Sequence, residues 1–323
     1  MARGFGTLES VRGTAKLEHP LRRPVLTIGN FDGLHVGHRA IMKTVLARAR
    51  DLGGEAVVYT FDPHPRKVLH PDRAPQLLTT LDQKLELLEE MGVDVAIVEP
   101  FDRQFAEIEP ETFVREYIHR RIRPMEVYVG YDFHFGRDRE GSMRLLTEMG
   151  PRLGFSVTII PEVTIDGRDV NSTRIRELLG QGDVQETERL LGRPFRSRGI
   201  VVEGLKRGRT LGFPTANISP QNEVLPESGV YAGWTRFVDD GEPARGVQVP
   251  TVTNVGQRPT FEDAVGLVAE AHLIDFTGDV YGRRIDVSFE RRLREERRFE
   301  SPDALKEQIQ KDVAEARRWL RSR

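Results

Sequence analysis

The sequence predicts two domains of different fold class, an α/β domain over residues 1–186 and a small antiparallel β-barrel over residues 187–323. Apolar runs of strand length alternate with amphipathic helical patterns in the first half, which is typical of a doubly wound parallel sheet. Short β-rich segments separated by turns replace them in the second half, which is typical of a small barrel. A length of 323 residues is enough for two hydrophobic cores.

Composition excludes several classes of protein. A net charge of −2 provides no general attraction to nucleic acid or to an anionic membrane. The chain has no cysteine, so disulfides and thiolate chemistry are excluded. No apolar run approaches the ~18 residues that span a bilayer, and the start lacks a signal-peptide pattern. We therefore expect a cytoplasmic protein without nucleic-acid or membrane partners, and the oligomeric state stays open.

The first half divides into alternating strands and helices. Predicted strands cover residues 25–28, 55–61, 93–98, 126–130 and 155–160. Predicted helices cover residues 35–52, 80–91, 111–122, 171–180 and 182–191, and a further predicted helix ends near residue 149. The leucines and valines of these elements are expected to form the core, including Leu81, Leu85, Leu87 and Leu88. Strands that alternate with helices imply right-handed crossovers.

A glycine turn and two histidines follow the first strand. Gly29 and Gly33 bracket the turn, and His35 and His38 open the next helix with both imidazoles on one face. A helix N-terminus presents free N–H groups and partial positive charge, which suit a phosphate. The pattern therefore predicts a nucleotide phosphate site. The alternatives are a plain α/β scaffold or half of a metal site, although no third ligand lies nearby in the sequence.

Three later segments of this half are candidates for the same site. Residues 62–65 read Asp-Pro-His-Pro and form either a rigid turn or a ligand contact beyond the carboxyl end of a strand. Residues 131–141 are dense in aromatic residues, glycine and arginine, which is typical of a ligand loop at a strand end. The alternating aromatic residues could equally form a half-buried strand. Residues 171–176 place hydroxyls and two arginines at a helix start. The hydroxyls are ordinary caps, but the arginines predict a bound anion.

The second half contains a glycine-rich segment and a closing helix. Predicted strands cover residues 198–203, 229–238, 244–255, 267–276 and 283–293. Glycines spaced four apart with cations between them, at residues 204–212, either wrap phosphates or form a solvated loop. Ser301 and Pro302 start a helix whose apolar stripe is Leu305, Ile309, Val313, Ala316 and Leu320.

Motifs of the first half resemble a known superfamily. Residues 29–38 match the Gly-x-Phe-Asp-Gly-x-His-x-Gly-His signature of nucleotidyltransferases, with Asn30 in a variable position. The string at residues 60–65 is similar to a segment that lines the flavin-adenylation cleft, and the string at residues 130–141 is closely similar to one that the family carries at this place. Residues 171–176 resemble the Ser-Ser-Thr-x-x-Arg motif that holds ATP phosphates. Asn171 replaces the first serine of that motif and is left out of the binding set.

Motifs of the second half resemble riboflavin kinases. Residues 212–217 read Gly-Phe-Pro-Thr-Ala-Asn, the hallmark of that family, and the strings at residues 254–261 and 270–276 match it too. The motifs of both halves follow one another in the order found in prokaryotic bifunctional riboflavin kinase/FMN adenylyltransferases, also called FAD synthetases. The chain resembles this family over residues 20–320. The resemblance implies a Rossmann-like nucleotidyltransferase domain and a kinase barrel.

The resemblance also implies ligands and residue roles. Riboflavin, FMN and ATP are the expected small-molecule partners, with Mg²⁺ as cofactor. The implied catalytic residues are His35, His38 and Glu270. The implied nucleotide-binding residues are Gly29, Phe31, Asp32, Gly33, Ser172, Thr173, Arg176, Gly204, Gly208, Gly212 and Thr215. The implied flavin-binding residues are Asp62, Pro63, His64, Asp132, Phe133 and Arg139, and the implied magnesium ligands are Thr215 and Asn217.

Other functions stay open on the sequence alone. A non-catalytic flavin- or nucleotide-binding module would share the same motifs, although the intact His35, His38 and Glu270 argue against it. An adenylyltransferase for another phosphate, such as a precursor of coenzyme A or NAD, would share only the first half, and the Gly-Phe-Pro-Thr-Ala-Asn string argues against it. Weak RNA binding by the arginines is a distant alternative that a steep salt dependence would reveal.

Overall fold

The computed structural model describes residues 7–203, 212–259 and 265–322, without the side chains of residues 257–259 and 265–267. The chain forms two compact units. One comprises Met1–Gln76 and Leu81–Val170, and the other comprises Leu77–Thr80 and Asn171–Arg323. Residues 171–186 group with the second unit, and the predicted domain boundary near residue 186 stays a prediction.

The first unit is built on six parallel strands. They are β1 (Glu9–Arg12), β2 (Val25–Ile28), β3 (Ala56–Asp62), β4 (Val95–Pro100), β5 (Glu126–Gly130) and β8 (Ser156–Ile160). Their order in the sheet is β1-β4-β3-β2-β5-β8, and every neighbouring pair is parallel. The predicted doubly wound parallel sheet is confirmed. Strand β1, which pairs with β4 at the edge, was missed because its four residues carry no clear apolar pattern.

Helices cover both faces of this sheet. They are α1 (Val36–Asp51), α2 (Pro65–Leu69), α3 (Leu81–Met91), α4 (Arg103–Ala106), α5 (Pro110–Thr112), which continues as a π-helix (Phe113–Ile122), and α6 (Met143–Arg152). Alternate residues of the strands pack against α1 and α3 on one face and against the π-helix and α6 on the other. Burial on both faces explains why the strands read as continuous apolar runs.

Two predicted connections contain regular structure. The segment after β4 forms α4, which Asp102 caps by accepting a hydrogen bond from the Phe105 N–H at 2.7 Å. The aromatic loop at residues 131–141 forms a small hairpin of β6 (His134–Phe135) and β7 (Gly141–Ser142). A second hairpin of β9 (Thr164–Ile165) and β10 (Arg168–Asp169) lies near the end of the first unit.

The second unit contains a closed antiparallel barrel. After α7 (Ser172–Gly180) and α8 (Val184–Leu191) come β11 (Phe195–Val202), β12 (Ala216–Pro220), β13 (Gly229–Phe237), β14 (Gln248–Pro259), β15 (Val265–Leu273), β16 (Arg284–Phe289) and β17 (Arg291–Arg294). Pairing runs β14-β15-β12-β11-β16-β13, and β13 pairs with β14 to close the ring. The predicted barrel is confirmed, although β12 was missed and the predicted strand 283–293 is two strands.

The closing helix is also confirmed. It is α9 (Pro302–Arg321), and the Ser301 hydroxyl caps it by accepting a hydrogen bond from the Ala304 N–H at 3.2 Å. Val313 and Ala316 pack against Val230, Ala232 and Val252 of the barrel. The helix therefore covers the outer face of strands β13 and β14.

A buried ion cluster joins three barrel strands. Asp286 accepts hydrogen bonds from Arg198 at 2.7 and 2.9 Å and from Arg236 at 2.8 Å. Arg198 is 0% and Asp286 2% exposed. Burial alone would raise the pKa of Asp286, but the two guanidinium groups hold that pKa below its usual value. The carboxylate thus provides a counter-charge to a fully buried arginine.

We expect Asp286→Ala to destabilise the second unit by about 3–5 kcal/mol, because it leaves Arg198 buried without its carboxylate. The measurement is the urea unfolding free energy of the barrel transition. Glu315→Ala, which removes the half-exposed partner of Arg291 on α9, is the matched control and should change that free energy far less. Equal effects of the two substitutions would contradict the assignment of the buried cluster as a stabilising element.

Within the described residues, no helix combines the length and apolar character needed to cross a membrane. The cytoplasmic location expected from the sequence stays a prediction.

Candidate functional site

The first candidate site lies where the sheet of the first unit reverses its direction. The chain runs outward from β2 to β3 and β4, then returns to place β5 on the other side of β2. In open parallel sheets, ligands bind beyond the carboxyl ends of the strands at this reversal. The segments that leave β2, β3 and β5 there begin at Gly29, Pro63 and Tyr131, which are the predicted motifs. The fold therefore brings three of the sequence-predicted segments to one edge of the sheet.

The turn after β2 has an unusual backbone. Phe31 and Leu34 have φ values of 47° and 41°, which non-glycine residues rarely adopt, and Gly33 between them has φ 78°. Gly29 leaves room for the Phe31 ring, because a Cβ at Gly29 would lie 2.9 Å from the Phe31 Cζ. The Phe31 and Asp32 side chains are buried. The backbone of residues 29–34, here called the phosphate turn, is thus closely constrained before α1 begins.

The two histidines stack on each other at the start of α1. Their ring centroids are 3.6 Å apart with an interplanar angle of 20°, and the Phe31 ring meets His38 edge-on at 5.3 Å. His35 caps the helix, because its Nδ1 accepts a hydrogen bond from the His38 N–H at 3.4 Å. The prediction that both imidazoles share one face is confirmed.

His38 is held in its neutral form. Burial, the neighbouring His35 and Lys84 hold the pKa of His38 well below its usual value. Its Nδ1 is buried and makes no hydrogen bond, while the side chain as a whole is partly exposed. A neutral imidazole offers a phosphate one N–H donor and carries no charge until it takes up a proton. An approaching anion would favour the protonated form.

Lys84 lies behind the phosphate turn. This α3 residue is 8% exposed, and its Nζ donates a hydrogen bond to the Asn30 carbonyl oxygen at 2.7 Å. The Thr60 hydroxyl donates to the same carbonyl at 3.3 Å and lies 3.5 Å from Lys84 Nζ. Burial lowers the pKa of Lys84, and the carboxylates of Asp32 and Asp62 oppose that shift.

The segment after β3 is fixed by its own contacts. Asp62 pairs with Arg12 of the edge strand at 3.0 Å. His64 caps α2, because its Nδ1 accepts a hydrogen bond from the Arg66 N–H at 3.2 Å, and Pro63 is exposed. The Asp62 carboxylate also opposes the lowering of the pKa of Lys84, whose Nζ contacts the phosphate turn. The proposed flavin contacts of these residues stay predictions.

The segment after β5 carries the other predicted flavin residues. Asp132 and Arg139 are exposed, whereas Phe133 is partly buried and stacks against Phe135 at 5.5 Å. His134 is a local hydrogen-bonding residue, as expected, with its Nδ1 2.9 Å from the Asp132 carbonyl oxygen. Other partly buried aromatic rings pack around the same core, among them Phe61, Phe105 and Tyr117. The strand ends therefore carry aromatic surface beside polar groups.

The predicted ATP-phosphate motif forms the start of α7 in the second unit. Asn171 caps this helix, because its Oδ1 accepts a hydrogen bond from the Arg174 N–H at 2.9 Å. Arg174 pairs with Glu186 at 3.0 Å. Ser172, Thr173 and Arg176 thus belong to a different compact unit from His35 and His38. A shared ATP site stays a prediction.

The second candidate site is a polar row on the barrel. Glu270 of β15 lies directly opposite Asn217 of β12 on one side and Asn254 of β14 on the other. Residues directly opposite each other on neighbouring strands share a face. Ala269 and Ala271, which flank Glu270 in the sequence, are buried. Three partly exposed polar residues therefore form one row across three strands.

Thr215 lies immediately before β12, two residues from Asn217. The adjoining His272 is held in place, with its Nδ1 2.9 Å from the Pro214 carbonyl oxygen and its ring 5.4 Å from Phe213. This fits its expected structural role. Gly212 has φ 85°, which favours glycine, with nothing near its missing Cβ. The predicted nucleotide contacts Gly204 and Gly208 lie outside the described residues.

The donor set of Thr215 and Asn217 fits Mg²⁺, because both side chains carry oxygen donors, which hard cations prefer. Among the described residues, no group of three or more histidine, cysteine, aspartate or glutamate side chains could hold a metal. Mg²⁺ is usually bound by one or two protein oxygens together with substrate phosphates rather than by an all-protein cage.

Sequence reasoning missed Lys84 and Thr60. Lys84 belongs to the helical stripe that also contains Leu81 and Leu88, and Leu88 packs against Phe31 and Leu34 of the phosphate turn. The prediction assigned this helix to the core alone. A lysine within an apolar stripe was the available signal, but only the tertiary structure shows which main-chain oxygen it contacts.

Two family models match the chain in succession. The model described as FAD synthetase matches residues 17–174, and the model described as riboflavin kinase matches residues 191–320. A bifunctional riboflavin kinase/FMN adenylyltransferase from Haemophilus influenzae is 38% identical over 98% of this chain and 100% of its own length. The chain belongs to the bifunctional riboflavin kinase/FMN adenylyltransferase family. The enzymes of the same name from Escherichia coli K12 and Pseudomonas fluorescens are 38% and 40% identical over 97% and 96% of this chain.

A solved structure shares the fold of this chain along nearly its whole length. It is described as a macrolide-efflux protein from Streptococcus pneumoniae, and it is 29% identical with a TM-score of 0.85. It covers 97% of this chain and 100% of its own length. That description concerns the Streptococcus pneumoniae protein, and its likeness to this chain is one of fold.

Proposed function

We propose that this chain makes FAD from riboflavin in two ATP-dependent steps. The barrel phosphorylates riboflavin to FMN, and the first unit joins FMN to the AMP part of ATP and releases pyrophosphate. Membership of the bifunctional family over nearly the full chain is the observation that carries this proposal. The roles of individual residues are proposed from their placement and from the motifs.

In the adenylation step, an oxygen of the FMN phosphate attacks the α-phosphorus of ATP, and pyrophosphate leaves. The attacking phosphate is already a nucleophile, so no covalent intermediate with the enzyme is needed. Gly29, Phe31, Asp32 and Gly33 shape the phosphate turn, which presents His35, His38 and the start of α1. Hydrogen-bond donors aimed at the developing charge lower the barrier. A neutral His38 supplies one such donor.

Two further groups of residues complete this proposal. Ser172, Thr173 and Arg176, at the start of α7, are proposed to bind phosphate oxygens of ATP. Asp62, Pro63, His64, Asp132, Phe133 and Arg139 are proposed to contact FMN. Exposed Arg139 suits the anionic phosphate, and the aromatic surface around Phe133 suits a planar ring system.

In the kinase step, the ribityl 5′-hydroxyl of riboflavin attacks the γ-phosphorus of ATP, and ADP leaves. Glu270 is proposed to accept the hydroxyl proton, and Thr215 and Asn217 are proposed to hold Mg²⁺. The bound ion offsets the charge that develops on the transferred phosphoryl group. Gly204, Gly208, Gly212 and Thr215 are proposed to contact the nucleotide. The register that places Asn217 opposite Glu270 supports a base and a metal ligand that act on one phosphoryl group.

The test is an assay of the purified full chain with riboflavin, ATP and Mg²⁺ that resolves FMN from FAD. We expect both products with Mg²⁺, and at least a tenfold lower rate of both steps when EDTA removes the ion. Binding of flavin without turnover would favour a non-catalytic module instead. Full activity in EDTA would refute the proposed role of Thr215 and Asn217 as metal ligands.

A further inference from the structure

Lys84 is a buried amino group that the proposed mechanism does not use. Its Nζ lies 2.7 Å from the Asn30 carbonyl oxygen and makes no ion pair at salt-bridge distance within the described residues. Burying an amino group is costly, whereas a leucine or methionine would fill the same helical position without that cost. The contact it makes therefore needs an explanation beyond packing of α3.

The contacted oxygen lies at the start of the constrained turn. Asn30 directly precedes Phe31, and three of the next four residues have positive φ. Such a backbone persists only where surrounding contacts over-determine it. Lys84 Nζ and the Thr60 hydroxyl both hold the Asn30 carbonyl, one from α3 and one from β3.

The same helix also packs against the turn. Leu88, one helical turn after Lys84, lies in one buried apolar cluster with Phe31 and Leu34. Helix α3 thus supports residues 29–34 with a hydrogen bond at one end and apolar contacts at the other. The phosphate turn leads directly into His35 and His38. Its position matters for the reaction because small displacements of reacting groups reduce rates strongly.

We propose that Lys84 is a positioning residue for adenylyl transfer, which holds the phosphate turn through the Asn30 carbonyl so that the turn and the stacked histidines meet the ATP phosphates in register. This inference rests on the proposed function. The lowered pKa of His38, to which Lys84 contributes, agrees with their proximity. Lys84 acts through the turn and does not touch the reacting atoms.

The first test is Lys84→Met in the full chain. We expect kcat/KM for ATP in FMN-to-FAD conversion to fall at least tenfold, with a higher KM for ATP, while riboflavin-to-FMN conversion stays within twofold. Partial unfolding would lower kcat without raising KM, so the KM separates positioning from stability. Lys43→Met, which removes an exposed lysine of α1, is the matched control and should leave both steps within twofold.

A chemical rescue makes the test specific for the amino group. Because the chain has no cysteine, Lys84→Cys creates a single thiol. Alkylating this thiol with 2-bromoethylamine in the unfolded chain restores an amine at nearly the length of lysine, and iodoacetamide attaches a neutral amide instead. After refolding, we expect the aminoethylated chain to form FAD within threefold of the wild type taken through the same cycle. The neutral adduct should stay at least tenfold lower.

The outcomes are distinguishable. Kinase activity reports whether each refolded chain recovered its second unit. Lys84→Met with FAD formation within twofold of the wild type overturns this inference and leaves the proposed function intact. A loss that the aminoethyl group does not restore, in a chain with normal kinase activity, also overturns it. A wild-type chain that forms FMN but no FAD overturns the proposed adenylation and this inference with it.

Discussion

His38→Ala should stop the second step and spare the first. We expect FMN-to-FAD conversion to fall by about 10²–10³-fold, because the substitution removes a pre-positioned hydrogen-bond donor from the developing phosphate charge. It also removes the stacking partner of His35 and the edge contact of Phe31. FMN should then accumulate when riboflavin and ATP are supplied. The measurement is the time course of both flavins, separated by chromatography.

The unchanged kinase step is an internal control for folding in this experiment. A second control is His119→Ala, which removes an exposed histidine of the π-helix in the same unit. It should leave both steps within twofold of the wild type. If His38→Ala lowered FMN formation while FAD formation from added FMN continued, the division of labour between the two units would be refuted.

Glu270→Gln should have the opposite effect on the two steps. The amide keeps the shape of the side chain but cannot accept the ribityl hydroxyl proton at neutral pH, so we expect riboflavin phosphorylation to fall by about 10²–10⁴-fold. Conversion of added FMN to FAD should stay within twofold. The measurement supplies riboflavin in one reaction and FMN in another, with the same enzyme preparation.

The matched control for this substitution is Glu307→Gln on the exposed side of α9. It makes the same chemical change on an exposed residue of the closing helix and should leave both steps unchanged. Phosphorylation within threefold of the wild type in Glu270→Gln would remove this residue from the role of base. Asn217 and Thr215 would then be left to act through Mg²⁺ and positioning alone.

Much of the fold was predictable because local patterns and tertiary context agree. Strands β2 to β5 are buried on both faces, so their apolar runs are visible in the sequence. The short edge strand β1 and strand β12 were missed. Strand β1 has only four residues, with one buried side chain, and β12 begins inside a motif that suggested a loop. Long-range pairing, which no local pattern reveals, decides both.

The candidate sites were predictable to different degrees. Motifs were enough to identify the histidine pair and Glu270. The three-residue spacing of His35 and His38 was enough to place both imidazoles on one helical face. The register that sets Glu270 opposite Asn217 depends on pairing between strands more than 50 residues apart in sequence. The lowered pKa of His38 depends on burial, on the neighbouring His35 and on Lys84, and only packing supplies the burial and the Lys84 charge.

The sequence by itself determined the two fold classes and the order of the motifs, because hydrophobic periodicity and motif residues are local properties. The two proposed chemical steps follow from the family that those motifs resemble. The tertiary structure alone decided what supports those motifs. It placed the Asn30 carbonyl within reach of Lys84 and Thr60, which lie on separate elements. Contacts of this kind depend on how helices and strands pack together, and the sequence spacing of a residue does not determine its partners in the core.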